Sequence, residues 1–387
     1  MVTLLLAFIY VSFISLGLPD SMFGAAWPVI RNDMMLPVST AGLISLISTL
    51  TIVFSTLLNP FIVRRLGTGR LIVISTLFSS VGLLLFSQSR TLIHLCIATA
   101  FTALGGGSID VSLNNFVALH YKPKHMNWLH SLWGVGTTLG ASIISAFVGS
   151  YGGWRNGYTV VSMFQLLLSF IFMLMLPVWN VHKNNNEGQI EQKRIVRSPL
   201  LVKNAILSVT AFFAYCAIET TTDVWASSFL VNFKGLSPSF GARGTALFFF
   251  GITLGRILSG FLSMKIKSIP MIRLSLLMIL IGVIMLLSKM PTVLYLISLG
   301  VIGFGCAPIF PTMMHETPRR FGVEVSNFIV SLQMAGGYLG SAFGPFLFGL
   351  LISKAGIQLL PLFLLSLLLA LVLITERLNS KLRLLHE

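Results

Sequence analysis

Four of the eleven acidic residues, Asp20, Asp110, Glu219 and Asp223, stand inside long apolar runs. A carboxylate held in such a setting costs about 2.5 kcal/mol or more at the centre of a membrane helix, and is a functional hypothesis by default. The chemistry open to it is proton binding, ion pairing, or hydrogen bonding to a polar solute. Asn114 follows Asp110 at i+4, and Asp223 follows Glu219 at i+4, so each pair shares one helix face. Two partly desolvated carboxylates one turn apart do not both ionise easily. His130, Trp133, Gly134 and Thr137 follow i, i+3, i+4, i+7 and share a face as well. The plainer readings stand beside these. A membrane acid also serves as a structural hydrogen-bond or ion-pair partner, Arg256 as a pairing residue at a gate, and a lone histidine as a packed donor.

A second group consists of amides and aromatics in or at the edge of apolar runs: Trp27, Trp133, Trp225, Asn114, Asn115, Gln165, Asn327, Gln333 and Tyr338. Amides pair with hydroxyls as donors and as acceptors, and indole faces cover the C–H face of a sugar. Lipid or packing contact explains any single aromatic equally well. No catalytic set accompanies them. There is no Gly-Lys dipeptide and so no P-loop. His315–Glu316 lacks a second histidine, because Arg319 stands where it would fall. Cys96, Cys216 and Cys306 lie in apolar runs with no disulfide or zinc spacing. No enzyme, cofactor or resident metal is expected.

The elements that must position these groups follow from composition. The chain has 387 residues, 55% of them hydrophobic and 10% charged, with a mean hydropathy of +0.90. That leaves too little polar surface for a soluble protein. Apolar runs near 4–30, 38–62, 71–88, 92–119, 127–150, 157–180, 200–231, 239–263, 270–288, 292–314, 323–351 and 357–376 predict twelve transmembrane helices. Residues 4–18 have the length of a signal-peptide core, but no basic residue precedes them, and they are read as the start of the first span. With the N-terminus inside, the inner loops and tail carry 18 of the 26 Lys and Arg and the outer side 7, with Arg256 left within a span. The positive-inside rule then places both termini in the cytoplasm of a cell-membrane protein. It also accounts for the net charge of +15 without nucleic acid; the expected partners are the lipid bilayer, a small-molecule substrate and protons. In this reading Glu316 and Glu376 fall on the cytoplasmic side. The polar stretch 181–199 divides the chain into six-helix halves, 1–180 and 200–387, the second with a short cytoplasmic tail.

The halves repeat at an offset near 200. SLWGVGTTLGASIISAFVG at 131–149 aligns with SLQMAGGYLGSAFGPFLFG at 331–349, sharing Ser131, Leu132, Gly136, Leu139, Gly140 and Gly149 with their counterparts 200 residues on. Asp20 and Glu219 are 199 apart and become approximate symmetry mates. A duplicated bundle with its site between the repeats is a transporter design. The glycines alone are better read as helix-packing faces.

These features resemble the major facilitator superfamily over essentially the full chain, and within it the branch of fucose permease and related sugar–proton symporters. The resemblance rests on GLPDSMFGAAWP (17–28), LGGGSIDVSLNN (104–115), LHSLWGVGTTLG (129–140), AIETTTDVWASSFL (217–230), GRILSG (255–260) and GFGCAPIFPTMMHETPRRFG (303–322). It implies an all-α membrane fold of two pseudo-symmetric halves. It also implies that acids on the first and fourth helices, here Asp20 and Asp110, serve sugar binding and proton coupling, and it lays the span-seven acid and tryptophan on Glu219 and Trp225. The sequence departs from the superfamily pattern at Arg64, which stands where the loop after helix two carries an acid. It departs again at Ser145, opposite Pro345 of the repeat, where drug antiporters have a Gly-Pro pair. The second departure favours uptake over efflux. The expected coupling residues are Asp110, Asp20 and Glu219. Substrate contacts are expected from Asp20, Asn114, Asn115, His130, Trp133, Glu219, Trp225 and Gln333, with Arg64, Arg65 and Arg256 in gating or structural roles. The expected task is proton-coupled import of a small polar solute, a sugar first, by a monomer; proton-coupled efflux of amphipathic compounds is the rival, kept open by 30 Phe and 16 Met.

Overall fold

In a computed structural model, residues 2–121, 123–149, 153–180, 199–263 and 265–383 are described. The expected linker 181–199 therefore lies, but for Pro199, outside the described residues. In hydrocarbon every backbone polar group must be satisfied within its own segment, and helices do that. The described residues contain twelve apolar segments long enough to cross a membrane. The first half comprises α1 (Val2–Asp33), α2 (Thr40–Leu66), α3 (Thr68–Ser87), α4 (Leu92–His120), α5 (Pro123–Val148), α6 (Gly153–Leu174) and a short α7 (Leu176–Asn180). The second comprises α8 (Pro199–Asn232), α9 (Pro238–Leu262), α10 (Ser268–Leu287), α11 (Thr292–Cys306), α12 (Ile309–Phe321), α13 (Val323–Ala355) and α14 (Leu360–Arg383). Hydroxyls that would otherwise face lipid or packed side chains bond back to the preceding turn, as Ser12 does to Phe8 O, Thr49 to Ser45 O and Thr253 to Phe249 O.

Two spans differ from expectation. The tenth does not stop near 314. Pro308 has no N–H to continue the ladder, so α11 ends and α12 begins, carrying the span to Phe321. Glu316, expected in a cytoplasmic loop, is buried on α12, where Ser268 Oγ donates to it at 2.6 Å and Arg319 and Arg320 lie at 3.8 and 3.9 Å. The last span likewise continues through Glu376, which accepts two bonds from Arg273 of α10 at 2.8 and 2.7 Å. Glu316 settles within the helix bundle because hydroxyl and basic partners meet it, whereas the Arg273–Glu376 pair stays exposed. Gly67 and Gly322, at φ 77° and 89°, make the reversals from α2 to α3 and from α12 to α13 in a region closed to most side chains.

Successive spans reverse direction, so the described ends Val2, Asn180, Pro199 and Arg383 all lie at one end of the bundle, called here the linker end. The repeat glycines serve the same close approach in both halves. A Cβ on Gly136 or Gly140 would come within 2.1 Å of Ile14 O and 2.0 Å of Leu18 O on α1. On Gly336 or Gly340 it would come within 2.7 Å of Val209 O and 2.1 Å of Phe213 O on α8. Both contacts bring backbone against backbone, as small residues permit. Between the halves the seam is sealed at the end remote from the linker. Ser145 and Ser239 exchange hydroxyl-to-carbonyl bonds at 3.0 and 2.9 Å, Ser227 donates to Ala25 O at 3.0 Å, and Arg31 to Asn232 at 3.1 Å.

Gly140→Ala and Gly340→Ala are each expected to lower the melting temperature of the detergent-solubilised protein, since overpacking against backbone costs about 1–3 kcal/mol. Gly260→Ala, which meets nothing within 4 Å, is expected to leave it unchanged or raise it. Equal effects at all three positions would contradict this role for the repeat glycines.

Candidate functional site

Between the halves lies a cavity of 1050 Å³. Its wall reaches the linker end through Ser263, Ile266, Ser268 and His315, and its far end stops below the sealed seam. The cost of turning a carboxylate to lipid is met in one way for all four membrane acids: Asp20 of α1, Asp110 of α4, and Glu219 and Asp223 of α8 all line this cavity. Against four carboxyl groups, the cavity lining holds one guanidinium, Arg256 of α9, and two imidazoles, His130 and His315.

A chain of polar contacts crosses from one half to the other. Trp133 Nε1 donates to Asp20 Oδ2 at 2.8 Å. The Arg256 guanidinium lies 4.8 Å from the Trp133 ring centroid, a cation–π distance, and its Nη1 donates to His130 O at 3.4 Å. Its Nη2 stands 4.0 Å from Glu219 Oε1, and the Tyr215 hydroxyl donates to Glu219 Oε2. The Arg–Glu separation exceeds the roughly 2.7–2.9 Å of a closed charge-assisted bond, so the pair is near but not locked. Away from it, Asn114 Nδ2 donates to Asp110 Oδ1 at 2.8 Å. Asn114 Oδ1 and Asp223 Oδ1 are buried without a hydrogen-bond partner among the described residues. In a low-dielectric cavity four carboxylates are not balanced by one guanidinium; the surplus must be met by protons or by a cation.

Of the residues singled out in the sequence, Asp20, Asp110, Asn114, His130, Trp133, Glu219 and Arg256 all line the cavity, as do Gln165 and Tyr338. Three expected substrate contacts do not. Asn115, adjacent to Asn114 but about 100° round the helix, is exposed away from the cavity. Trp225 is fully buried and donates to Pro345 O at 3.1 Å, where α8 packs against α13. Gln333, 1% exposed, spans Thr317 and Ser208 at 2.9 and 2.5 Å. Trp27 is buried against Val38 O, and the Asn327 side chain lies outside the described residues. Arg64 and Arg65 are exposed at the linker end of α2. Sequence reasoning passes over Tyr215, whose i, i+4 spacing to Glu219 is the signal that marks it.

A family model described as Major Facilitator Superfamily matches residues 9–326 and 234–383. Bypass of stop codon protein 6 of Saccharomyces cerevisiae is 23% identical over 91% of this chain and 78% of its own length. The glucose/mannose transporter GlcP of Bacillus subtilis is 20% identical over 73% of this chain and 72% of its own. Among solved structures, a bacterial homolog of the human lysosomal transporter Spinster, inward-facing and unoccupied, superposes with a TM-score of 0.72 at 15% identity, covering 98% of this chain and 97% of that one.

Arg256→Gln is expected to cut transport at least tenfold, because removing one partner leaves a buried carboxylate uncompensated. Adding Glu219→Gln should restore part of the loss. A double variant no better than Arg256→Gln alone, in a double-mutant cycle of uptake rates, would contradict the pairing.

Proposed function

Because this chain belongs to the Major Facilitator Superfamily, whose matched relatives and structural neighbours include transporters, we propose that it imports a small polar solute, a sugar in the first instance, together with protons. The observation that carries this reading is the convergence of Asp20, Asp110, Glu219 and Asp223 on one cavity between the two halves. A substrate site at the interface of two repeats lets the halves rock about it and expose it to one side at a time. The excess of Lys and Arg at the linker end supports a cytoplasmic location for both termini, so the cavity as seen opens inward. Both halves of the bundle sit in one chain, which makes a monomer sufficient.

The division of labour follows from depth. Asp20 lies thirteen residues from the end of α1 remote from the linker, beside the Trp133 indole, where an aromatic face and a carboxylate suit a hydroxylated ring. Asp110 is eighteen residues into α4, deeper toward the linker, with Asn114 bonded to it. Burial disfavours the charged form of a carboxylate, and a group of this kind loads a proton when the cavity faces the acidic side and releases it when it faces the other. The glucose/mannose activity of one relative supports the sugar assignment. Efflux of amphipathic compounds is favoured by one feature only, the Phe13, Phe23, Phe86, Phe249 and Phe310 rings in the same wall.

Asp110→Asn holds that position in its uncharged form. In proteoliposomes it is expected to bind and exchange solute to equilibrium but to lose accumulation driven by a pH gradient, whereas Asp20→Asn weakens binding itself. If Asp110→Asn still concentrates solute, and only with a pH gradient, coupling resides elsewhere, with Glu219 the next carboxylate to test.

A further inference from the structure

The closed end of the cavity holds groups that neither the sugar contacts nor the coupling role uses. Asp223, one turn beyond Glu219 on α8, reaches the cavity from the second half, and Tyr158 of α6 reaches it from the first. Tyr158 is 2% exposed. Among the described residues neither Asp223 Oδ1 nor the Tyr158 hydroxyl has a hydrogen-bond partner. Buried polar groups are rarely left unpaired in a protein that does not use them. Around them the wall is aromatic. The Phe86 ring stacks on Tyr158 at 4.5 Å between centroids, and Phe23 meets Phe86 edge-on at 6.2 Å; all three line the cavity.

Two unpaired oxygens against an aromatic wall, in a cavity where four carboxyl groups face one guanidinium, are complementary to a group with several N–H donors and a positive charge. We propose that the closed end of the cavity is an ammonium-binding subsite, in which Asp223 and Tyr158 accept N–H bonds from a protonated amine flanked by Phe23 and Phe86, so that the transported solute is an amine-bearing hydroxylated cation. Carboxylate and ring faces both attract such a group, more strongly when water is excluded. The subsite rests on the reading of this cavity as the transport site, and it narrows the solute from polar to cationic. The dimensions fit. Asp223 lies nine residues and Asp20 thirteen from the ends of α8 and α1 remote from the linker, a difference of about 6 Å along the membrane normal at the helical rise. A hexose-sized molecule spans that distance, with its amine at Asp223 and its hydroxyls at Asp20 and Trp133. Asp110 lies deeper still toward the linker end. The position of Asp223 also ties occupancy to the seam: its carbonyl lies 2.2 Å from where a Cβ on Gly24 would be, so α1 and α8 touch at the residue that holds the amine.

The test is binding to the purified full-length protein, by calorimetry and thermal shift at neutral pH. Four probes are used: glucosamine, glucose, N-acetylglucosamine and methylammonium. Glucosamine is expected to bind roughly tenfold or more tighter than glucose and N-acetylglucosamine, the scale of a desolvated cation–π and carboxylate contact. In Asp223→Asn and in Tyr158→Phe that ratio should fall to within about twofold. N-acetylation changes the ligand and leaves the protein intact, so the comparison stands even if a variant does not fold. Glucose binding as tightly as glucosamine would overturn the subsite while leaving a sugar transporter. A glucosamine preference unchanged in Asp223→Asn would overturn the assignment to Asp223. Methylammonium binding that Asp223→Asn abolishes, with no sugar bound, would support the subsite and refute the sugar reading. No binding of any probe would refute both.

Discussion

A carboxylate cannot face lipid at the depth of Asp20, Asp110, Glu219 and Asp223, and the rest of the structure is arranged around that constraint. The acids come from α1, α4 and α8, on both halves of the chain. They reach a common polar space only if the halves stand apart, and the halves stand apart without collapse only if each is rigid alone. Backbone-to-backbone approach supplies that rigidity. Gly136 and Gly140 set α5 against α1, and Gly336 and Gly340 set α13 against α8 in the same manner, so the repeat in the sequence is a repeat of packing.

The halves also meet closely, a Cβ on Gly24 falling 2.2 Å from Asp223 O and one on Gly42 2.8 Å from Pro345 O, and a few polar bonds join them. Ser145 and Ser239 share a reciprocal pair of hydrogen bonds, and Ser227 with Ala25 O and Arg31 with Asn232 make one each, near one end of the bundle. Each is worth about 0.5–1.5 kcal/mol net, and water can replace the outermost of them when the seam parts. The Asp20–Trp133–Arg256–Glu219 chain behaves likewise. It crosses between the halves where Arg256 of α9 meets Trp133 and His130 of α5, 4.8 Å from the indole centroid and 3.4 Å from His130 O, contacts weak enough to part when the halves rock. Packing that keeps each half rigid, with polar contacts between the halves that can part, is what a change of access requires.

Much of this is legible in the residues. Twelve apolar runs locate the spans, the cost of a buried charge points the four acids inward, and the repeat at 131–149 and 331–349 divides the chain. The limits have physical causes. Trp133 and Trp225 are the same residue type in similar apolar runs, but helix rotation, set by neighbours distant in sequence, turns one to the cavity and the other onto Pro345. Asn114 and Asn115 differ by one residue and face different surroundings for the same reason. Gln333 reads as a cavity amide and instead satisfies Thr317 and Ser208 between helices. The end of the tenth span is misread from composition because α12 carries Glu316, Arg319 and Arg320, which resemble a loop, while their pairing with one another and with Ser268 lets the helix continue.

To move solute, the two halves must close one end of the cavity while the other is open, and must exchange these states. Cross-linking Ser145→Cys to Ser239→Cys, in a background with Cys96, Cys216 and Cys306 replaced, tests this most directly. The hydroxyls of these serines lie 3.3 Å apart. Oxidation is predicted to form the cross-link readily in the ligand-free protein and to abolish uptake into proteoliposomes, and a reducing agent to restore it. A cross-linked protein that transports at the full rate would contradict the exchange of access.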